Sequence, residues 1–176
     1  MAEGRYEEAV DTFSASLALQ PNQVHALRGR GLAYGQLQKA ALAAADFQAA
    51  RDLNPSDGDN WVDLAISLAM DQRVYPALEV LETLLAQQPD FVRGRIEFGL
   101  LYLRVGAIPK GRQELQRALT SRPSPAQRQQ IQSILREEDR LDKKRLYRPD
   151  FEKLRQQQAP TIESLRTLWR RVFKKG

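Results

Sequence analysis

Residues 24–57 read VHALRGRGLAYGQLQKAALAAADFQAARDLNPSD, and this stretch decides the fold because its pattern returns at a constant step along the chain. Prolines at Pro21, Pro55, Pro89 and Pro123 are separated by the same interval. Each follows a run of apolar residues at helical spacing. Proline ends a helix because it lacks a backbone N–H and disfavours helical backbone before it. The sequence therefore predicts consecutive helical units of about 34 residues.

Other positions keep the same step, and they divide into small and bulky residues. Small residues mark points where two helices approach closely, and bulky residues fill the space between paired helices. The small positions are Ala9, Ala43, Ala77 and Gly111, and Gly31, Ala65 and Gly99; the bulky ones are Phe13, Phe47, Leu81 and Leu115, and Tyr34, Leu68 and Tyr102. No stretch alternates with a period of two over a useful length, so we expect no sheet.

These positions resemble the tetratricopeptide repeat family, whose unit is a helix–turn–helix of the same length. The third unit carries the family's leading aromatic as Trp61, followed by Leu64-Ala65, Leu68, Ala77 and Pro89. The other units lack that aromatic, and Gly111 replaces the usual alanine in the fourth. The resemblance implies an all-α fold: a right-handed superhelix of stacked antiparallel helix pairs, with a C-terminal helical extension.

We divide the chain accordingly into repeats over residues 1–125, capping helices over 126–158 and a basic amphipathic helix over 159–176. The repeat units are 1–23, 24–57, 58–91 and 92–125. Ser124-Pro125 with Gln127 predicts the start of the first capping helix. Unit 1–23 matches only the second half of a repeat. Its first helix would lie before Met1, so trimming from a larger chain is the preferred explanation, and a homo-oligomer through this incomplete repeat is the alternative.

Composition argues against catalysis and against metal or cofactor binding. The chain has no cysteine and one histidine, His25, so thiolate sites and sites that need two imidazoles are excluded. No nucleophile–base pair is visible. No window is apolar enough to span a bilayer, and no signal peptide is evident. We therefore expect a non-enzymatic cytoplasmic protein without cofactors.

In the family, the first helix of each unit lines a concave surface that holds the ligand. Carried over to this sequence, that lining predicts an apolar stripe with arginines at its ends, suited to a helical or extended segment of another protein. The partner-binding residues predicted are Arg28, Leu32, Asp59, Val62, Ile66, Met70, Arg93, Ile96, Leu100, Leu103 and Arg104. The Lys and Asn positions with which some family members grip a terminal carboxylate hold Arg28, Leu32, Asp63, Arg93 and Glu97 here, so that clamp is absent.

The positive charge of the chain belongs to its last third. Residues 1–123 contain 13 Lys and Arg against 15 Asp and Glu, whereas residues 124–176 contain 14 against 7. The strongest nucleic-acid candidate, Lys143-Lys144-Arg145, is interleaved with acidic residues, so nucleic acid is not an expected partner.

The segment Ile162–Lys175 places apolar residues on one helical face and basic residues on the rest. Its predicted contact residues are Leu165, Leu168, Trp169, Arg170, Arg171, Val172 and Phe173. Three interpretations stay open: packing on the chain's own repeats, binding to an anionic membrane surface, and capture by a separate protein. The apolar face also matches the concave groove, which predicts docking of this segment there, in its own chain or in a neighbour. The function predicted is a protein-binding scaffold, and the alternative is a membrane-peripheral assembly factor anchored by this segment.

Overall fold

The computed structural model describes residues 2–144, with side chains over residues 4–142. These residues form eight helices and contain no strand. The helices are α1 Ala2–Leu19, α2 Val24–Gln36, α3 Ala40–Leu53, α4 Gly58–Met70, α5 Val74–Gln87, α6 Val92–Arg104, α7 Ile108–Thr120 and α8 Pro125–Lys144. Within residues 1–135 the repeat helices form a solenoid in which successive helices pack on one another, as the sequence predicted. The chain divides after Leu135, and of the second unit, residues 136–176, the structure describes only the end of α8.

The turn inside each helix pair has the same backbone conformation, and its residues are one repeat length apart. Gln38, Gln72 and Gly106 have φ angles of 57°, 62° and 83°. In each turn the next backbone N–H donates to a carbonyl five residues earlier, as in Lys39 N to Tyr34 O at 2.9 Å. This arrangement ends the first helix of a pair and starts the second. Only one of the three positions is glycine, so residue type alone does not predict this turn.

The core runs along the inner faces of the pairs. Phe47, Leu81 and Leu115, which share one repeat position, are 3%, 0% and 0% exposed. At the small positions the helices touch: a Cβ added to Gly99 would lie 3.0 Å from Gly111 O. The sequence prediction that small residues mark close approaches is confirmed at this crossing of α6 and α7.

Buried ion pairs connect the two helices of two units. Arg30 of α2 donates two hydrogen bonds to Asp46 of α3, at 2.8 and 2.7 Å. Arg95 of α6 pairs with Glu114 of α7 at 2.7 Å. Asp46 and Glu114 are two repeat lengths apart, so both anions occupy the same repeat position. In the unit between them this position holds Val80, which packs against the apolar core.

The helix after the last repeat begins with a capping box at the residues that the sequence indicated. Ser124 N–H donates to Gln127 Oε1 at 2.9 Å, and Gln127 N–H donates to Ser124 Oγ at 3.3 Å. Ile131 of α8 is fully buried in a cluster with Ile96 of α6 and Leu115 of α7. The first half of α8 therefore covers the last repeat.

Candidate partner-binding surface

The predicted groove residues lie on α2, α4 and α6, the first helices of three successive units. Residues one repeat length apart occupy equivalent turns of these helices. The four sets are His25, Asp59 and Arg93; Arg28, Val62 and Ile96; Leu32, Ile66 and Leu100; and Gln36, Met70 and Arg104. The surface is thus built in layers: most charged side chains lie at the start of the helices, apolar ones lie further along, and Arg104 lies in the last layer.

One carboxylate, that of Asp63, links the charged residues at the start of these helices. Asp63 of α4, whose side chain is 7% exposed, accepts from Arg28 Nη2 of α2 at 3.1 Å and from Arg93 Nη2 of α6. Arg93 also donates from Nη1 to Asp59 Oδ1 at 2.7 Å. A single aspartate therefore links three helices from three units. Sequence reasoning named both arginines but missed Asp63 as their common partner.

A further aspartate ties the network to the start of α4. Asp57 Oδ1 accepts from Asp59 N–H at 3.0 Å and so caps the helix, while Asp57 Oδ2 lies 3.6 Å from Arg28 Nη1. Both arginines of the network thus have carboxylate partners within the chain. An anionic ligand would have to break one of these pairs to reach them, which adds to the cost of binding.

Glu97 differs from the other carboxylates of the surface. It is half-buried on α6, and among the described residues it has no hydrogen bond or close ion pair. Burial raises the pKa of Glu97 above its usual value, although the positive charges of Arg93 and Arg104 act in the opposite direction. Nearby Asp63 adds to the rise. Glu97 is therefore a partly buried carboxylate that lies near the arginines of this surface.

The apolar part of the surface is smaller than the sequence predicted. Leu32 and Met70 are 53% and 48% exposed, and Ile66, in the same layer as Leu32, is partly buried against the central core cluster. Val62 and Ile96 are 0% and 2% exposed, so the expectation that they meet a ligand is wrong. Both face neighbouring helices of the stack: Val62 lies in the central core cluster and Ile96 packs with Ile131.

Leu100 and Leu103 also pack against the core. Both are partly buried against the cluster that α6 forms with α7 and α8. Leu103 additionally fills the space beside Gly111, where a Cβ would lie 2.7 Å from its Cδ2 atom. The predicted apolar stripe is therefore reduced to the exposed Leu32 and Met70 with the partly buried Ile66, a set that we call the groove patch.

Arg104 lies in the same layer as Met70. Its Nη1 donates to the Ala69 carbonyl of α4 at 3.4 Å, a long hydrogen bond that joins the ends of α4 and α6. The charge of Arg104 also acts on Glu97. The groove patch is consequently flanked by one arginine on one side and by the Asp63 network on the other.

A second concavity lies outside this surface, over α3, α4 and α5. It has a volume of about 630 Å³ and is lined by Trp61, Leu64, Leu68 and Val80 with charged residues at its rim. Trp61 donates to the Pro55 carbonyl at 2.9 Å, and Arg51 lies 5.0 Å from its ring centroid. Trp61 is only 8% exposed, so it acts mainly in packing.

Two classes of site receive no support from the described residues. Over residues 2–144, no group of three His, Asp or Glu side chains could hold a metal ion. No helix in that range is long and apolar enough to cross a membrane. The predicted capping region after Lys144 and the predicted contact residues of the tail, from Leu165 to Phe173, lie outside the described residues.

Comparison with known proteins supports the repeat assignment. A tetratricopeptide repeat profile matches residues 1–58. No curated protein matches the chain significantly.

Solved structures with the same fold include YrrB, described as a TPR protein with an unusual peptide-binding site. It is 20% identical, with a TM-score of 0.63 over 75% of this chain and 68% of YrrB. MamA from Desulfovibrio magneticus RS-1 is 19% identical, with a TM-score of 0.62 over 69% of this chain and 70% of MamA. A MamA double mutant, also 19% identical, has a TM-score of 0.60 over 67% of this chain and 66% of its own length. At these identities the likeness shows the fold.

Proposed function

We propose that the chain, which matches a tetratricopeptide repeat model over residues 1–58 and shares that fold, is a protein-interaction scaffold that binds a segment of another protein on the surface of α2, α4 and α6. The proposed ligand is a helical or extended segment whose apolar side chains contact the groove patch. The proposal also makes the protein a non-catalytic scaffold.

The observation that carries this proposal is the exposure of Leu32 and Met70. Large apolar side chains are usually buried in a solenoid, and an exposed apolar patch rimmed by polar residues is typical of an interaction site. Here the patch lies between the Asp63 network and Arg104, and Glu97 adds a partly buried carboxylate to the same surface. This combination suits a segment with apolar side chains at helical spacing and a hydrogen-bond donor next to them.

Peptide selection tests the proposal without a known partner. A displayed library of random peptides is selected against the wild-type chain, and the affinities of the recovered peptides are then measured on variants. We expect Leu32→Glu and Met70→Glu to weaken them by about tenfold or more, because each places a charge in the contact.

The chain offers a matched control in Leu42→Glu. Leu42 lies on α3 and is 49% exposed, close to the 53% of Leu32, so the two substitutions have similar costs to the fold. We expect Leu42→Glu to leave peptide affinity unchanged. The proposal would be contradicted if Leu42→Glu weakened peptide binding as much as Leu32→Glu does, or if neither substitution weakened it.

The alternative function, a membrane-peripheral assembly factor, depends on residues 159–176. It is favoured by the balance of five basic residues against one acidic residue in Ile162–Lys175. Flotation of the full chain with phosphatidylserine vesicles tests it, with Arg166→Glu/Arg170→Glu as the variant. Flotation that needs these arginines would support the alternative, whereas a chain that does not float would remove it.

A further inference from the structure

Two of the repeat units place an arginine against a buried acid of their second helix. In the second unit, Arg30 of α2 donates to Asp46 of α3 at 2.7 Å and to Ser14 of α1 at 3.2 Å. In the fourth unit, Arg95 of α6 donates to Glu114 of α7 at 2.7 Å. The guanidinium of Arg30 therefore joins the second helices of two successive units, α1 and α3.

The third unit has uncharged residues at the corresponding positions. Leu64 stands one repeat after the arginine of the second unit, Trp61 stands one repeat before that of the fourth, and Val80 replaces the acid of both. These three side chains and Leu68 line the cavity of about 630 Å³ over α3, α4 and α5, which we call the outer groove. A cavity of this size lies within the range of ligand sites. The place that a cation and its acid fill in the second unit is thus open in the third.

The third unit keeps a carboxylate one residue away from the position of the buried acids. Glu79, next to Val80 on α5, is exposed and lines the outer groove. On the α3 side of the groove, Arg51 pairs with Asp52 at 2.6 Å and lies over the ring of Trp61, so its charge is balanced within the chain. The outer groove therefore combines an apolar floor with an exposed carboxylate on its wall.

We propose that the outer groove binds an arginine side chain from a segment of another protein. Arginine combines a stem of methylene groups, which lies along apolar surface, with a guanidinium that pairs with a carboxylate. Its stem would contact Leu68 and Val80, and its guanidinium would donate to Glu79. The contact reproduces between two chains the pairing that Arg30 makes within this one.

The charges around the outer groove favour this occupant over an acidic one. An acidic side chain on the apolar floor would meet the carboxylate of Glu79 and be repelled. Arg73 also lies at the rim, but it precedes Glu79 by six residues, about 9 Å along the helix axis. A guanidinium paired with Glu79 is therefore closer to its partner than to the like charge of Arg73. The proposal does not depend on peptide binding at the groove patch.

The second unit of the chain supplies the variant that tests the proposal. Leu64→Arg/Val80→Asp rebuilds in the third unit the arginine and the acid of the second, so the chain fills its own outer groove. A displayed library of random peptides is selected against the full-length wild type and depleted of peptides that bind this variant. We expect the remaining peptides to share an arginine and to bind the wild type about tenfold or more tightly than the variant.

Glu79→Lys is the second variant, because it changes an exposed residue and leaves the floor of the outer groove intact. It places a like charge opposite the arginine, so the affinity of the same peptides should fall by about tenfold or more. The matched control is Glu82→Lys, which reverses another exposed carboxylate of α5 that does not line the outer groove. We expect the control to bind these peptides as the wild type does.

Three results would overturn the proposal. The depletion could leave no peptide specific for the wild type, or the remaining peptides could bind through apolar or acidic side chains and lack arginine. Arginine peptides could also bind Glu79→Lys as tightly as the wild type. Peptides of the groove patch are recognised by their loss of affinity on Leu32→Glu and should keep their affinity on Glu79→Lys, so the failure of one proposal is distinguishable from the failure of the other.

Discussion

Replacing Phe47 by alanine tests the repeat register, because this side chain is the bulky residue at the centre of the second unit. Phe47 is 3% exposed, and its ring atoms lie 3.0–3.2 Å from where a Cβ on Gly31 would stand. The neighbouring backbone of α2 therefore has little freedom to fill the cavity left by the ring. Truncation of a buried phenylalanine costs about 3–5 kcal/mol. Since repeats are stabilised by their neighbours, we expect the whole array to lose this stability in one transition.

Phe13→Ala is the matched control, since it removes the same ring from the same repeat position at partial exposure. We expect it to cost about 1–2 kcal/mol, in proportion to the smaller apolar area removed from water. Urea unfolding, followed by circular dichroism, measures the loss in unfolding free energy for both variants, provided that their m-values agree. Equal losses for the two variants would refute the reasoning: two small losses would place Phe47 outside the core, and two large ones would mean that the contact of Phe13 with Gly29 of α2, not its exposure, sets the cost.

The remaining predictions concern single positions. Gly111→Ala should destabilise the protein by about 1–3 kcal/mol, because the new Cβ would lie 2.7 Å from Leu103. Gly35→Ala should stabilise helix α2 by about 0.5–1 kcal/mol, because nothing lies within 4 Å of the new Cβ. Thermal unfolding should therefore show a lower midpoint for the first variant and a higher one for the second. The pKa of Glu97 is raised, so its carboxylate opposes folding once the pH exceeds the usual glutamate value of 4.5. Glu97→Gln should therefore raise the midpoint of unfolding at neutral pH and leave it unchanged below about pH 4. Asp63→Ala should cost about 1–3 kcal/mol, measured by urea unfolding, because it leaves two arginines without their shared carboxylate.

The fold could be predicted because its signal is spread over many residues at one step. A wrong match at one position, such as Gly111 in place of alanine, does not disturb a register fixed by four prolines. The structure gives that departure a physical reason: the absent methyl group leaves room for Leu103. The turns at Gln38 and Gln72 carried no such signal, since glutamine is not a residue that favours positive φ.

The candidate surface was predicted less well, because side-chain burial depends on contacts between units. Val62 occupies the same repeat position as Arg28, which is partly exposed, yet Val62 is fully buried in the central cluster. A rule that assigns every such position to the groove cannot distinguish a residue in the middle of the stack from one near its end. The pairing of Asp59 with Arg93 could have been found, since the two are one repeat length apart.

The force that holds a ligand in the groove follows from where the charges of this surface are neutralised. In the groove, Asp63 is shared by Arg28 and Arg93, so a ligand meets a surface whose charges are largely paired and gains mainly from apolar contact. Salt screens exposed charges over a Debye length of about 8 Å at physiological ionic strength, and shorter lengths above it. Raising the salt concentration should therefore leave peptide binding in the groove nearly unchanged, and affinities that fall steeply with salt would mean that the ligand is held by the charged residues instead.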